Sequence, residues 1–202
     1  RFRDPLAILP PQLFLSSRLA VVVWNAPPPQ PSEMPRSEAV NALVVRGGAF
    51  IPSLFVLHFE SDFHVVNRGR KEVRLFSPGR FGDGNGAKPE VLASDVDRVI
   101  PMNPRGGETA DPAVRFWSYP LRLVGFPSAI GRVLFVRTHC FTTVDDDGSF
   151  TLPPLPAGKY QLAVLDRDRE IHTQEVIIPE KGKGELKPLE IKLTLPFSTE
   201  EF

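Results

Sequence analysis

The sequence predicts an all-β chain of two consecutive β-sandwiches behind an extended N-terminal arm. Three observations predict it. Proline is abundant, 22 of 202 residues, and is spread along the whole chain. Long helical runs of Ala, Leu, Glu and Lys are missing. Short apolar runs instead alternate with polar residues at the period of two that places one strand face inward. The length accommodates one large or two small domains, since domains usually run to about 100–150 residues.

Composition removes several function classes. Lys plus Arg number 24 and Asp plus Glu number 24, so no global field gathers nucleic acid or acidic lipid. Cys140 is the single cysteine, which excludes an internal disulfide and any multi-thiolate metal site. Residues 6–24 are apolar on average, but Pro10, Pro11, Ser16, Ser17 and Arg18 interrupt them. A membrane-spanning helix needs ~20 mostly apolar residues, so this stretch reads as an arm followed by a strand. The chain opens on Arg1 rather than Met, and a removed signal peptide is one candidate explanation.

Residues 19–24 (LAVVVW) form a β-branched run, and the prolines of 25–35 end it in a polyproline-like connector. Strands are then expected at 43–45, 55–59, 63–66 and 73–76. Across 55–60, Phe55, Leu57 and Phe59 share one face while His58 and Glu60 take the other, the pattern of a half-buried strand. The glycine-rich stretch 79–86 and the polar stretch 103–111 read as surface loops. Between them, 91–100 fits a short helix or a strand. Runs at 114–117, 121–124 and 132–136 complete a first domain, with a boundary near 136–140.

The C-terminal part is the most legible. Val144, then Asp145-Asp146-Asp147-Gly148, then Ser149 to Leu152 reads as strand, tight turn and strand, because Asp-Gly supplies the positive-φ positions of a hairpin. Tyr160, Leu162 and Val164 alternate with Lys159, Gln161 and Ala163, and Leu189, Ile191, Leu193 and Leu195 alternate with Glu190, Lys192 and Thr194. With 171–178 added, this makes a sandwich of about 60 residues, near the lower limit for folding alone. It is expected to lean on the first domain.

Read as a unit, 143–164 (TVDDDGSFTLPPLPAGKYQLAV) resembles the signature of carboxypeptidase-regulatory-like domains. The resemblance implies a transthyretin-like, Ig-like β-sandwich that is exported and carries no catalytic residues. Upstream, 19–29, 50–52, 63–68, 75–77 and 119–144 resemble bacterial exported proteins of the methylamine-utilisation-like kind, in which a cupredoxin-like Greek-key domain feeds into such a sandwich. Together the resemblances imply an arm at 1–17, a degenerate cupredoxin-like domain at 18–138, the regulatory-like sandwich at 139–197 and a tail at 198–202.

A cupredoxin copper site uses two imidazoles, a thiolate and commonly a weak axial thioether, a soft and nitrogen-rich set suited to copper. In the family the first His follows an Asn-Arg-Asp-Pro-like turn and precedes a Phe-Ser pair. Here the turn is Asn67-Arg68-Gly69-Arg70, and the matching position is Val73. The family's Cys-x-x-His-Pro-x-Met cluster is Leu123-Val124-Gly125-Phe126-Pro127-Ser128-Ala129, so Leu123, Phe126 and Ala129 stand at the Cys, His and Met positions. The resemblance thus implies a domain that has lost its copper ligands and takes no cofactor.

Other candidate sites read as structural. His139 and Cys140 are neighbours, and adjacent strand residues point to opposite faces. His58 and His64 could meet across a hairpin as two ligands, but no thiolate or carboxylate set accompanies them. Asp145 to Asp147 lack the alternating ligands and terminal Glu of a calcium loop. The loop 79–86 lacks the lysine and the strand-to-helix context of a phosphate loop. Ser128 has no nucleophile frame. No residue set stands out as catalytic.

Two features suit partners. Arg68, Arg70, Lys71 and Arg74 form a basic cluster able to face an acidic protein surface. The arm carries Leu6, Ile8, Leu9, Leu13, Phe14 and Leu15 among prolines, and apolar arms of this kind lie on a neighbouring subunit or on lipid. The expected function is a non-enzymatic, periplasmic docking subunit of a membrane-associated assembly, such as a bacterial respiratory or photosynthetic electron-transfer complex. One alternative is a copper or redox protein with His58, His64, His139 and Cys140 as ligands. A second is a carbohydrate-binding sandwich with Trp24, Trp117 and Tyr119 as its platform.

Overall fold

A computed structural model describes residues 18–28, 42–78, 88–100, 113–180 and 188–193. The arm with Leu9, Leu13 and Phe14, the C-terminal tail and both expected loops, 79–86 and 103–111, lie outside the described residues. Every element assigned within them is a β-strand. The strands are β1 Leu19–Val23, β2 Ala42–Arg46, β3 Ala49–Ile51, β4 Leu54–His58, β5 Phe63–Asn67, β6 Val73–Phe76, β7 Glu90–Leu92, β8 Asp97–Ile100, β9 Phe116–Leu123, β10 Phe126–Val136, β11 Phe141–Thr143, β12 Gly158–Asp166 and β13 Arg169–Ile178.

They form three sheets, ordered β3-β2-β5-β8, β4-β10-β9-β6-β7 and β11-β1-β12-β13, called here sheets I, II and III. The pairs β2/β5 and β4/β10 are parallel, and the other ladders are antiparallel. The cores between sheets show how they stack. Leu43, Phe63 and Val65 of sheet I meet Phe55, Leu121, Val133 and Phe135 of sheet II in one core. Leu54, Leu134 and Val136 of sheet II meet Ala20, Val22, Ala163 and Leu165 of sheet III in a second. Sheet II is therefore the middle layer. Its strand β10 sends Val133 and Phe135 one way and Leu134 and Val136 the other, which is why 133–136 read as an unbroken apolar run.

The same logic relocates β1. The sequence reading placed it with 18–138, yet it pairs with β11 and β12 in sheet III, across the expected boundary. A strand apolar on both faces needs a central place between two cores. There Ala20 and Val22 face sheet II while Leu19 and Val21 face outward into a third cluster with Leu162 and Val164. A bidentate ion pair fixes the register at one end: Arg18 Nε and its terminal nitrogen donate to the two Asp166 oxygens, each at 2.6 Å, with both side chains buried. At the other end Asn25 Nδ2 donates to Lys159 O at 3.0 Å and Asn25 Oδ1 accepts from Gln161 N at 2.7 Å.

Other expectations are refined. The runs 114–117 and 121–124 are one strand, β9, and 91–100 resolves into β7 and β8 around Asp95, whose φ is +57°. Strand β4 is buried on both faces, with His58 inside rather than on a solvated face. The Asp-Gly turn forms: Gly148 has φ +88°, Gly148 N donates to Asp145 O at 2.9 Å and Asp145 N to Ser149 O at 2.8 Å. Residues 149–152 and 188–193, however, are not strands. Phe150, Leu152, Ile191 and Leu193 still pack on the outer face of sheet III, so the alternation serves burial without a ladder. Pro153, Pro154 and Pro188 beside these segments withhold donors that a ladder would use.

Candidate functional site

Four turns meet at one end of sheets I and II. Because β2 and β5 run parallel with Val45 opposite Asn67, the β2–β3 turn at Gly47 and Gly48 lies beside the β5–β6 turn at 68–72. Arg68 N donates to Val45 O at 2.8 Å, Asp95 N of the β7–β8 turn to Asn67 O at 2.7 Å, and Val124 N of the β9–β10 turn to Arg74 O at 2.9 Å. Asn67 organises this end from inside. It is fully buried, its Nδ2 donates to Lys71 O at 2.8 Å and Leu92 O at 3.0 Å, and its Oδ1 accepts from Gly69 N at 2.9 Å. A buried amide with these partners satisfied holds a turn that glycine and charged residues would otherwise leave loose.

The two groups of residues singled out separately in the sequence converge here. Leu123 pairs with Leu75 on one side and with Phe126 on the other, and Val73 lies two residues along β6 from Leu75. Leu123 and Ala129 belong to the core between sheets I and II, at 3% and 4% exposure, and Val73 packs against it. Phe126 instead lies at the surface, 42% exposed, with its ring over Gly48. Gly48 has φ +78°, and a Cβ there would sit 2.5 Å from the Phe126 ring, so this turn requires glycine twice over. Val124, at the hairpin tip, is 50% exposed. Sequence reasoning quoted Asn67 and Val124 without giving them a role and passed over Gly48, since their roles arise only where separate strands meet.

The basic cluster borders this apolar surface. Arg68 pairs with Asp95 at 3.1 Å, and Arg74 lies 3.9 Å from Glu72. All four side chains of these pairs are more than half exposed, and such pairs hold little energy. Arg70 and Lys71 are exposed, and no acidic partner meets them among the described residues. The end therefore carries exposed Val124 and Phe126 and, on the β5–β6 turn, exposed Arg70 and Lys71.

The histidines are placed differently from the two-ligand expectation. His58 stacks on His139 with ring centroids 3.8 Å apart and planes 16° apart, while His64 Nδ1 faces the Asp97 carboxylate at 3.2 Å. Rings stacked face to face do not aim their nitrogens at a common ion. Cys140 is buried with Val23 and Tyr160, and its neighbour His139 is exposed. Burial pushes the Cys140 thiol up from its ordinary value of 9.0 to about 11, so it stays protonated and makes a poor thiolate ligand or nucleophile. Among the described residues no group of three His, Cys, Asp or Glu side chains could hold a metal.

The aromatic platform is not assembled either. Trp24 stacks on Phe116 at 6.3 Å, whereas Trp117 packs with Phe59 at 6.4 Å under the Arg137 guanidinium. Phe116 and Trp117 are successive residues of β9 and face opposite sides, and Tyr119 is buried in the core. In the Asp145 to Asp147 turn, Asp147 accepts from Ser149 N at 2.8 Å. That hydrogen bond holds its carboxyl below the usual range.

Fold and site together define an all-β protein of three stacked sheets with an apolar and basic surface at one end of its first two layers. No protein-family model, curated protein or solved structure matches the chain.

Proposed function

We propose that the chain is a non-enzymatic docking subunit, exported to the bacterial periplasm, that joins a larger membrane-associated assembly through the turn-bearing end of sheets I and II. One observation carries the reading. Positions where the resemblance would put a copper set hold packed hydrocarbon, Leu123 and Ala129 in the core and Phe126 over Gly48, beside exposed Val124, Arg70 and Lys71. Side chains that fill a core leave no donor atoms to a metal, and an apolar patch bordered by positive charge suits a partner whose apolar patch is bordered by carboxylates. Fold-level analogy suggests a respiratory or photosynthetic electron-transfer complex as the host.

The experiment is purification of the tagged chain from native membranes, beside a variant with Arg70→Glu, Lys71→Glu and Phe126→Ser. The wild type is expected to co-purify with a defined complex, with an association that weakens as salt rises, and the variant to elute alone. A wild-type chain recovered only as a free monomer would sink the proposal. Stoichiometric copper with a thiolate charge-transfer band would replace it with the redox reading.

A further inference from the structure

The outer face of sheet III is only partly covered, and a cavity of about 450 Å³ remains there. Its floor is Leu19, Val21, Val144 and Val164, all buried. Phe150 stands on one wall, and Ile191 and Leu193 on the other; these three are half-buried. Leu189 and Glu190 are exposed at the mouth. The floor therefore carries no polar side chain, and the charged side chain of the lining, Glu190, is exposed at the mouth.

From this geometry we infer that the cavity is a binding site for a small apolar molecule, such as an alkyl chain or ring system, whose polar end stays at the mouth beside Glu190. Its volume falls within the ~300–1,000 Å³ of small-molecule sites. The floor offers such an occupant hydrocarbon contacts. The hydrogen bonding of the floor excludes a peptide strand. Strand β1 is paired on both sides, by β11 and β12, and β12 by β1 and β13. An extended segment laid across them would find side chains but no ladder partner, and would bury its own amides unpaired. The inference is independent of the docking role at the turn-bearing end of sheets I and II.

Titration with 1-N-phenylnaphthylamine, an uncharged apolar probe, tests it on the full chain. Saturable one-to-one binding is expected, accompanied by shifts in the methyl NMR signals of Val21, Val164 and Ile191. Ile191→Glu, in a segment outside the strands, puts a charge on the wall and is expected to weaken binding at least tenfold with the circular dichroism unchanged. Val164→Phe fills the floor and is expected to do the same. Absence of saturable binding would overturn the inference. So would binding that leaves those methyl signals unmoved, a readout on the wild-type chain that holds even if a variant fails to fold.

Discussion

The two faces of sheet III present the same strands to different neighbours. On the inner face Ala20, Val22, Ala163 and Leu165 meet Leu54, Leu134 and Val136 of another sheet. On the outer face Leu19, Val21, Leu162 and Val164 meet Phe150, Leu152, Ile191 and Leu193 from segments that are not strands. A sheet offers a continuous pleated surface whose spacing matches the one it packs on. Non-strand segments bring side chains without that spacing, and the 450 Å³ cavity lies on their side. The inner face therefore ties the C-terminal sheet to the rest of the fold, while the outer face has room for a ligand.

The largest expected effect comes from breaking the inner face. Leu134 is fully buried between sheets II and III. Leu134→Ala should cost about 2–5 kcal/mol, the usual price of truncating a buried leucine into a cavity. If the inner face couples the layers, hydrogen exchange will show β4 and β12 losing protection together. Loss of protection in β12 alone would mean that sheet III folds as a separate unit.

Sheets I and II supply a second closely packed face for comparison. Gly131 of β10 lies under the Phe50 ring, and a Cβ there would come within 2.6 Å of it. Gly131→Ala should then destabilise by about 1–3 kcal/mol through overpacking, read as a drop in the urea midpoint at constant slope. A neutral result would show that this contact yields as readily as the outer face of sheet III does.

How much of this was legible in the sequence follows from the same contrast. Period-two alternation marked 159–165 as a strand but read it as one-sided, whereas β12 sends Ala163 and Leu165 to sheet II and Leu162 and Val164 outward. It could not place β1 or β10, since strands apolar on both faces give a run without a phase, and only the layers around them decide where they go. The signature at 143–164 was legible for a local reason: the Tyr160 hydroxyl donates to Pro156 O at 2.8 Å, and its ring lies 3.1–3.3 Å from where a Gly158 Cβ would be. Val73, Leu123, Phe126 and Ala129 were singled out only by the resemblance. The gathering of the Phe126 hairpin and the β5–β6 turn at one end was not legible, because it depends on Asn67 and Gly48 at turns from different strands.

That local motif gives a smaller prediction on the outer side of sheet III. Tyr160→Phe removes one hydrogen bond while keeping the ring over Gly158, so it should cost about 0.5–1.5 kcal/mol in denaturant melts. A larger loss would mean that the Pro156 carbonyl is left buried and unsatisfied, and that this rim is closed more tightly than the cavity next to it suggests.

Cys140 supplies the gentlest probe of the same rim, since it packs with Val23 and Tyr160. Its thiol is raised in the folded chain to about 11, so folding favours the protonated form. The stability this gives is fully present below the thiol's ordinary value of 9.0. It is lost as pH climbs from there through about 11, because the unfolded chain releases the proton first. Urea midpoints should therefore be flat across neutral pH on this account and fall across the alkaline window, with Cys140→Ala removing that fall. Thiol reagents should label the wild type at neutral pH only as fast as the chain opens. Rapid labelling of the folded chain would show that the rim around Cys140 breathes, and that the looseness of the outer face extends from the cavity to the end of β1.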